Sequence, residues 1–256
     1  LNYHLLVGVE HFTLFDVDGS LGKYLERFVE AGTVTYHGNF AGEVSPKLGT
    51  VASGLKNPKE HRSMLLEPHA LDTCVWANRH VSDWVVVLHS FEEFLHAPEE
   101  VKNKGSFDLG ELLPRWASEY PNIAYFELFQ EPMGGRKYPS AKSVVSTWKH
   151  ARGLKLDGLT DLERLKASHV HFQPFAWIVD PVNVLQTAVH YAQARSEDQV
   201  AMVLVPELIR VNHLVDLGSN TSRCQEELKG CLLEEEVSMA WAEEQVVARR
   251  WSNKGF

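Results

Sequence analysis

The sequence predicts an α/β protein with a mainly parallel sheet flanked by helices, and two observations carry that prediction. The run Trp84-Val85-Val86-Val87-Leu88 has no polar alternation, so it reads as a strand buried on both faces of a sheet covered by helices. Strand, helix and strand also follow one another before residue 37, the alternation that builds parallel sheets. In open α/β sheets, ligands bind beyond the carboxyl ends of the strands. The end of the Trp84–Leu88 run carries His89, Ser90, Glu92, Glu93 and His96. Chemistry is expected there, with a solvated acidic turn as the plain alternative.

Residues 9–14 and Phe15 have the composition of a buried strand, and Asp16-Val17-Asp18-Gly19-Ser20 supplies the turn that ends it. Leu21, Tyr24, Leu25, Phe28 and Val29 recur at helical spacing, with Gly32 as a stop, and Thr33–Tyr36 reads as strand again. Phe40–Arg62, rich in Gly, Pro, Ser, Asn and Lys, is expected to be a long surface loop or lid. Met64–Val81 returns to a helical pattern through Leu71, Cys74, Val75 and Asn78. A helix over Asp108–Tyr120 with Pro114 inside it, a strand over Ile123–Phe129 and a loop over Gln130–Ser140 follow. Two short strand-like runs flank Pro174 within His169–Val179, and Val182–Ala194, with His190, reads as an amphipathic helix. Val200–Val205 and Leu208–Val211 read as strand before Asn212-His213, and the tail over 222–256 as mostly helical. In that tail Val237, Ala240, Trp241, Glu244 and Val247 form a stripe suited to docking on this protein or a partner. No repeat or linker interrupts residues 1–256, which reads as one domain.

A chain of 256 residues with 44% hydrophobic content can fill a core. Its net charge of −9 and the lack of a basic stripe argue against a nucleic-acid surface. No apolar run reaches the roughly 18 to 20 residues of a membrane span. Three cysteines fit neither a disulfide scaffold nor a four-ligand zinc site. Cys224 and Cys231 suit a loop-closing bridge or two free thiols, and Asn220-Thr221-Ser222 is a glycosylation sequon. GxGxxG, Walker, HExxH and GxSxG signatures are all missing from the sequence. His169 and His171 share a strand face but have no third ligand nearby.

What remains is a pair of acidic strand ends, Asp16/Asp18 and Glu92/Glu93. Carboxylates at neighbouring strand ends can hold a hard divalent cation, and such an ion can neutralise a departing diphosphate. Arg136 and Lys137, on the loop after residue 130, are candidates to assist at the phosphates.

Three segments together resemble glycosyltransferase family 92. Tyr3 to Asp16, YHLLVGVEHFTLFD, is similar to that family's "YH..LGV.HF.LYD" segment. Trp76-Ala77-Asn78-Arg79-His80, Asp83-Trp84 and Glu93-Phe94-Leu95 resemble its helix, its strand entry and its "D-x-D-E-F-L" metal motif. Ile209-Arg210-Val211-Asn212-His213 resembles its late "lriNHY" segment. The resemblance implies a GT-A fold, of Rossmann type with a mixed, mainly parallel sheet. It also implies a UDP-sugar donor, commonly UDP-galactose, a glycan acceptor, manganese and the Golgi lumen. On that reading Asp16 and Asp18 sit near the nucleoside, and Glu92, with His213 as a further ligand, holds manganese on the diphosphate. Glu93, by position, is the expected acceptor-side base. Glu92→Gln is then expected to weaken metal-dependent donor binding far more than Asp108→Asn on a surface helix.

Two departures keep a second reading open. Ser90 stands where the motif has its first aspartate, and the chain opens at Leu1, after the point where family members carry a further strand with a Lys-Asn-Glu stretch. The second reading is a glycosyltransferase fold kept without activity, as a structural or interaction subunit, for example of an organellar complex, joined to a protein partner through the C-terminal tail.

Overall fold

The computed structural model describes residues 1–40, 42, 58–91, 93–134, 150–154, 174–188, 191–214, 231–236 and 242. After a short helix α1 (Asn2–Leu6), strand β1 (Phe12–Asp16), helix α2 (Gly22–Glu30) and strand β2 (Val34–Gly38) follow as the sequence predicts. β1 and β2 pair in parallel, from Phe12 opposite Val34 to Asp16 opposite Gly38. A parallel pair needs a crossover, and α2 provides it. Gly32, at φ +70°, closes α2, its N–H donating to Val29 while Thr33 N–H donates to Phe28.

A second, larger sheet is built on β5 (Ile123–Gly134), which is twelve residues long. Along its first half it lies between antiparallel β7 (Pro174–Val179) and parallel β10 (Val200–Leu204). Along its second half it pairs in parallel with β11 (Arg210–Leu214) and, at its end, antiparallel with β6 (His150–Leu154). β3 (Val85–Val87) is added antiparallel to β7, β4 (Glu93–His96) antiparallel to β11, and β12 (Cys231–Glu236) antiparallel to β6. The hairpin β8 (Val184–Ala188) and β9 (Tyr191–Ala194) stands as a separate pair.

Several expectations are corrected. The sheet is mixed rather than mainly parallel, and its centre is β5, not the Trp84–Leu88 run, which contributes three residues paired on one side only among the described residues. That run is apolar because helices cover both of its faces, which an edge strand can share with a central one. Within the expected helix Val182–Ala194, Val184–Ala188 and Tyr191–Ala194 are instead an antiparallel strand pair. Thr187 donates its N–H (2.7 Å) and hydroxyl (3.2 Å) to Asp72, a partner far away in the chain that no local periodicity reveals. In the tail, Cys231–Glu236 is strand, drawn into register with β6, and Ala242 is buried; the other tail residues named above lie outside the described residues. The expected loop over Phe40–Arg62 ends in helix, because α3 (Pro58–Ala77) begins at Pro58. Of the loop expected over Gln130–Ser140, residues 130–134 are strand instead, the end of β5, and 135–140 lie outside the described residues.

Helix α3 packs on one face of both sheets. Leu66 and Ala70 cluster with Phe40, Phe15 and Val17 of the first, while Leu71, Cys74 and Val75 cluster with Val85, Val87, Trp177 and Val179 of the second. The other face of the second sheet, including Trp84, Val86, Leu88, Phe94 and Phe126, packs against α1 and helix α5 (Leu109–Glu119) through Tyr3, Leu109, Leu113 and Trp116. Between β4 and α5 lies α4 (Pro98–Lys104). α5 keeps Pro114 inside it, as predicted, and Asp108 is its N-cap, accepting from Gly110 N–H at 2.7 Å. Asp108 is therefore no neutral surface control. Gly8, at φ +95°, lets Val7 C=O reach Leu109 N–H at 2.9 Å, and a Cβ there would strike the Asp108 carboxylate. Among the described residues no helix is long and apolar enough to cross a membrane.

Candidate functional site

Because α3 touches both sheets, it orders their ends. Leu66 packs on Phe15 and Val17, and the Cys74 thiol bonds to Thr13, so α3 runs against the direction of β1. Glu67 meets His89 and Val75 packs with Val85, so it runs against β3 as well. β1 and β3 therefore point the same way, and their carboxyl ends lie on either side of Leu66-Glu67. The two acidic strand ends are brought to one edge, where an α/β sheet places its ligands.

Glu93 opens β4 and is 1% exposed. Its Oε2 accepts the His89 N–H at 2.7 Å, and the Ser90 N–H also bonds to its carboxylate. Burial raises its pKa above the ordinary carboxylate value, opposed by His89 and by those two amides. The carboxylate thus holds the turn that follows β3. His89 is further fixed by Glu67, whose carboxylate contacts its Nδ1, and by the Trp177 ring, edge-on at 5.6 Å. Glu67, His89 and Ser90 line a cavity of about 1650 Å³ between the two sheets; Glu93 lies behind them.

His213 is directly opposite Glu93 across the antiparallel β4–β11 pair, and Asn212 is opposite Phe94. Opposed residues share a sheet face, so the two candidate site residues His213 and Glu93 meet there. Gln130 of β5 contacts His213 Nδ1. A ligating imidazole is ordinarily oriented through its other ring nitrogen in this way. His213 and Glu93 nevertheless supply only two donors. Among the described residues no group of three His, Cys, Asp or Glu could hold a metal ion. Glu92, the ligand expected from the sequence, lies outside the described residues.

Asp16 and Asp18 occupy the end of β1. Asp16, 6% exposed, accepts Leu21 N–H at 2.8 Å and the Tyr36 hydroxyl at 2.6 Å on Oδ2, and Asp18 N–H at 3.3 Å on Oδ1. With burial as the larger cause and this bond the next, the Tyr36 hydroxyl is pushed up to about 12. Asp16 therefore orders the turn from β1 into α2. Asp18 Oδ1 accepts Ser20 N–H at 3.1 Å, and its side is exposed to solvent at that turn. Glu92, Arg136, Lys137, His169, His171, His190 and Asn220 lie outside the described residues.

Sequence reasoning missed Glu67 and Gln130. Neither stands in a motif, and each joins the site only through a partner at least 22 positions away. His96, expected past the end of the Trp84–Leu88 run, is the last residue of β4, 4% exposed and opposite Arg210; burial, with Arg210 adding, lowers its pKa to about 3. Arg79, in one of the resembling segments, is structural: it donates to Pro181 C=O (2.9 Å) and Val184 C=O (2.7 Å), and its guanidinium lies 3.5 Å over the Trp76 ring.

Compared with known proteins, the chain matches no family model and no curated sequence.

Proposed function

We propose that the chain is a GT-A-like glycosyltransferase domain that takes a hexose, galactose by the resemblance, from a UDP-sugar to a glycan acceptor. The observation that carries this reading is a convergence. Two segments that resemble family 92 motifs, Glu93-Phe94-Leu95 and Arg210-Val211-Asn212-His213, are remote in sequence yet pair residue for residue, with His213 opposite Glu93. The third, ending in Asp16, runs to the same edge. In this reading the His89–Ser90 turn, held by Glu93 and Glu67, faces the diphosphate, and Asp18 lies toward the nucleoside. Glu93 acts as a positioning residue, since its carboxylate is engaged by the turn amides. Manganese would be held by His213 with Glu92 as the resemblance has it.

A second reading, a glycosyltransferase-like fold without transfer activity, is favoured by Ser90 at the motif's first position and by the buried, engaged Glu93. Release of UDP from UDP-galactose, followed with manganese and a panel of glycan acceptors, separates the two. Turnover that Glu92→Gln and His213→Ala each lower at least tenfold supports the enzyme. Absence of turnover in protein that still binds UDP supports the inactive fold.

A further inference from the structure

Helix α3 (Pro58–Ala77) carries Pro68 in its interior. Proline has no N–H to give the carbonyl four residues back, here that of Met64, and its ring crowds that carbonyl. The hydrogen-bond ladder is therefore interrupted between the turn that ends at Glu67 and the turn that follows. α5 also holds a proline, but Leu109, Leu112 and Leu113 ahead of Pro114 and Trp116 behind it are buried in one core cluster. In α3 the two sides of the proline engage different parts of the molecule.

Behind Pro68 the helix is fixed to the body of the fold. Leu71, Cys74 and Val75 pack with Val85, Trp177 and Val179, the Cys74 thiol bonds to Thr13, and Asp72 accepts the N–H and hydroxyl of Thr187. Asn78 closes the helix end, giving its N–H (3.1 Å) and its Nδ2 (2.8 Å) to Cys74 C=O. Ahead of Pro68, two neighbouring side chains reach the carboxyl ends of two strands in two sheets. Leu66, 3% exposed, enters the cluster of Phe15, Val17 and Phe40 at the end of β1, where Ala70 forms a further wall. Glu67 meets the His89 ring beyond β3, with the two side chains 24% and 11% exposed. Two contacts of unlike chemistry, one apolar and one between carboxylate and imidazole, thus close over one edge.

We propose that α3 is a hinged helix: Pro58–Glu67 swings at Pro68 as an arm that covers and uncovers the edge between the ends of β1 and β3, latched by Leu66 and Glu67, while the part behind Pro68 stays in place. With the arm away, Phe15, Val17 and the His89 ring lose their cover together. The motion is a property of the chain alone. Only what passes beneath the arm, a sugar nucleotide, rests on the reading above.

The test is amide-resolved hydrogen exchange on the whole chain, with urea unfolding as the check of fold. In a helix the amides of Arg62–Glu67 donate within the arm and those of Asp72–Ala77 within the part behind the proline. The expected result is one shared opening rate over Arg62–Glu67, at least tenfold faster than over Asp72–Ala77, with a step at Pro68 rather than a gradual rise toward the helix start. Glu67→Gln speeds the arm at least threefold further and leaves Asp72–Ala77 unchanged. Pro68→Ala, which restores the missing bond, slows the arm at least threefold. Carbethoxylation of His89 by diethyl pyrocarbonate, located by peptide mass, slows with the arm in Pro68→Ala. A gradual rise with no step, arm exchange unaltered in Pro68→Ala, Glu67→Gln acting equally on both parts, or His89 modification that does not follow the arm overturns the proposal. No nucleotide is added, so these outcomes stand apart from whether UDP-galactose is turned over.

Discussion

Glu93 shows how burial and hydrogen bonding divide the work at a single residue. With its carboxylate gone, the His89 and Ser90 amides lose their acceptor, and because Ser90 is exposed and His89 half-buried, water replaces part of it, so each bond lost costs about 0.5–1.5 kcal/mol. Glu93→Ala is expected to lower stability by about 1–3 kcal/mol in urea unfolding, and Glu93→Gln, which keeps one carbonyl acceptor, by less than half of that. Two histidines act through the solvent instead. His4 is 7% exposed, stacked on Phe94 at 5.8 Å, and burial lowers its pKa to about 3; His96 is likewise held at about 3. Both stay neutral in the folded chain while the unfolded chain protonates near 6.5. Stability is therefore full above about 6.5 and falls as pH drops from there toward 3, by about 2 kcal/mol per histidine at pH 5. Glu93, with its raised pKa, works in the opposite sense and offsets part of this. His4→Phe is expected to remove close to half of the histidine-driven loss between pH 7 and pH 5, measured as the change in urea midpoint. An unaltered pH dependence would show that His4 is not the buried neutral group described.

At the scale of elements, Asp108→Ala is expected to cost about 1 kcal/mol through the lost cap of α5, and Asp108→Asn much less, as read from thermal midpoints. The same scale shows what the sequence disclosed. β1, α2, β2, α5 and β10 were legible because each is written in its own local pattern: an apolar run ended by Asp16 and Asp18, a helical stripe closed by Gly32, a periodic stretch behind Asp108. Long-range pairing was not. Val85–Val87 has the composition of a central strand yet lies on an edge, because composition reports covered faces and says nothing of the edges. Val182–Ala194 has helical spacing, but Arg79 and Asp72 on or beside α3 hold it as a hairpin. In the site, Asp16, Glu93 and His213 were legible as residue types at strand ends. The turn-holding roles of Asp16 and Glu93, and the presence of Glu67 and Gln130, depend on partners that only folding brings close.

For the whole molecule, charge sets the terms on which a donor could bind. A chain with a net charge of −9 repels a nucleoside diphosphate, and the carboxylates of Asp18 and Glu67 at that edge add to the repulsion unless a cation intervenes. Binding at that edge is thus expected to need a divalent ion, and raised salt should weaken it little once the ion is in place. The most direct measurement is calorimetric titration of UDP, and then UDP-galactose, into the folded chain with and without manganese. The account predicts micromolar binding with manganese, at least tenfold weaker binding without it, and a loss of the manganese effect in His213→Ala. Equal binding with and without the metal, or no binding under either condition by a chain shown to be folded, would contradict it.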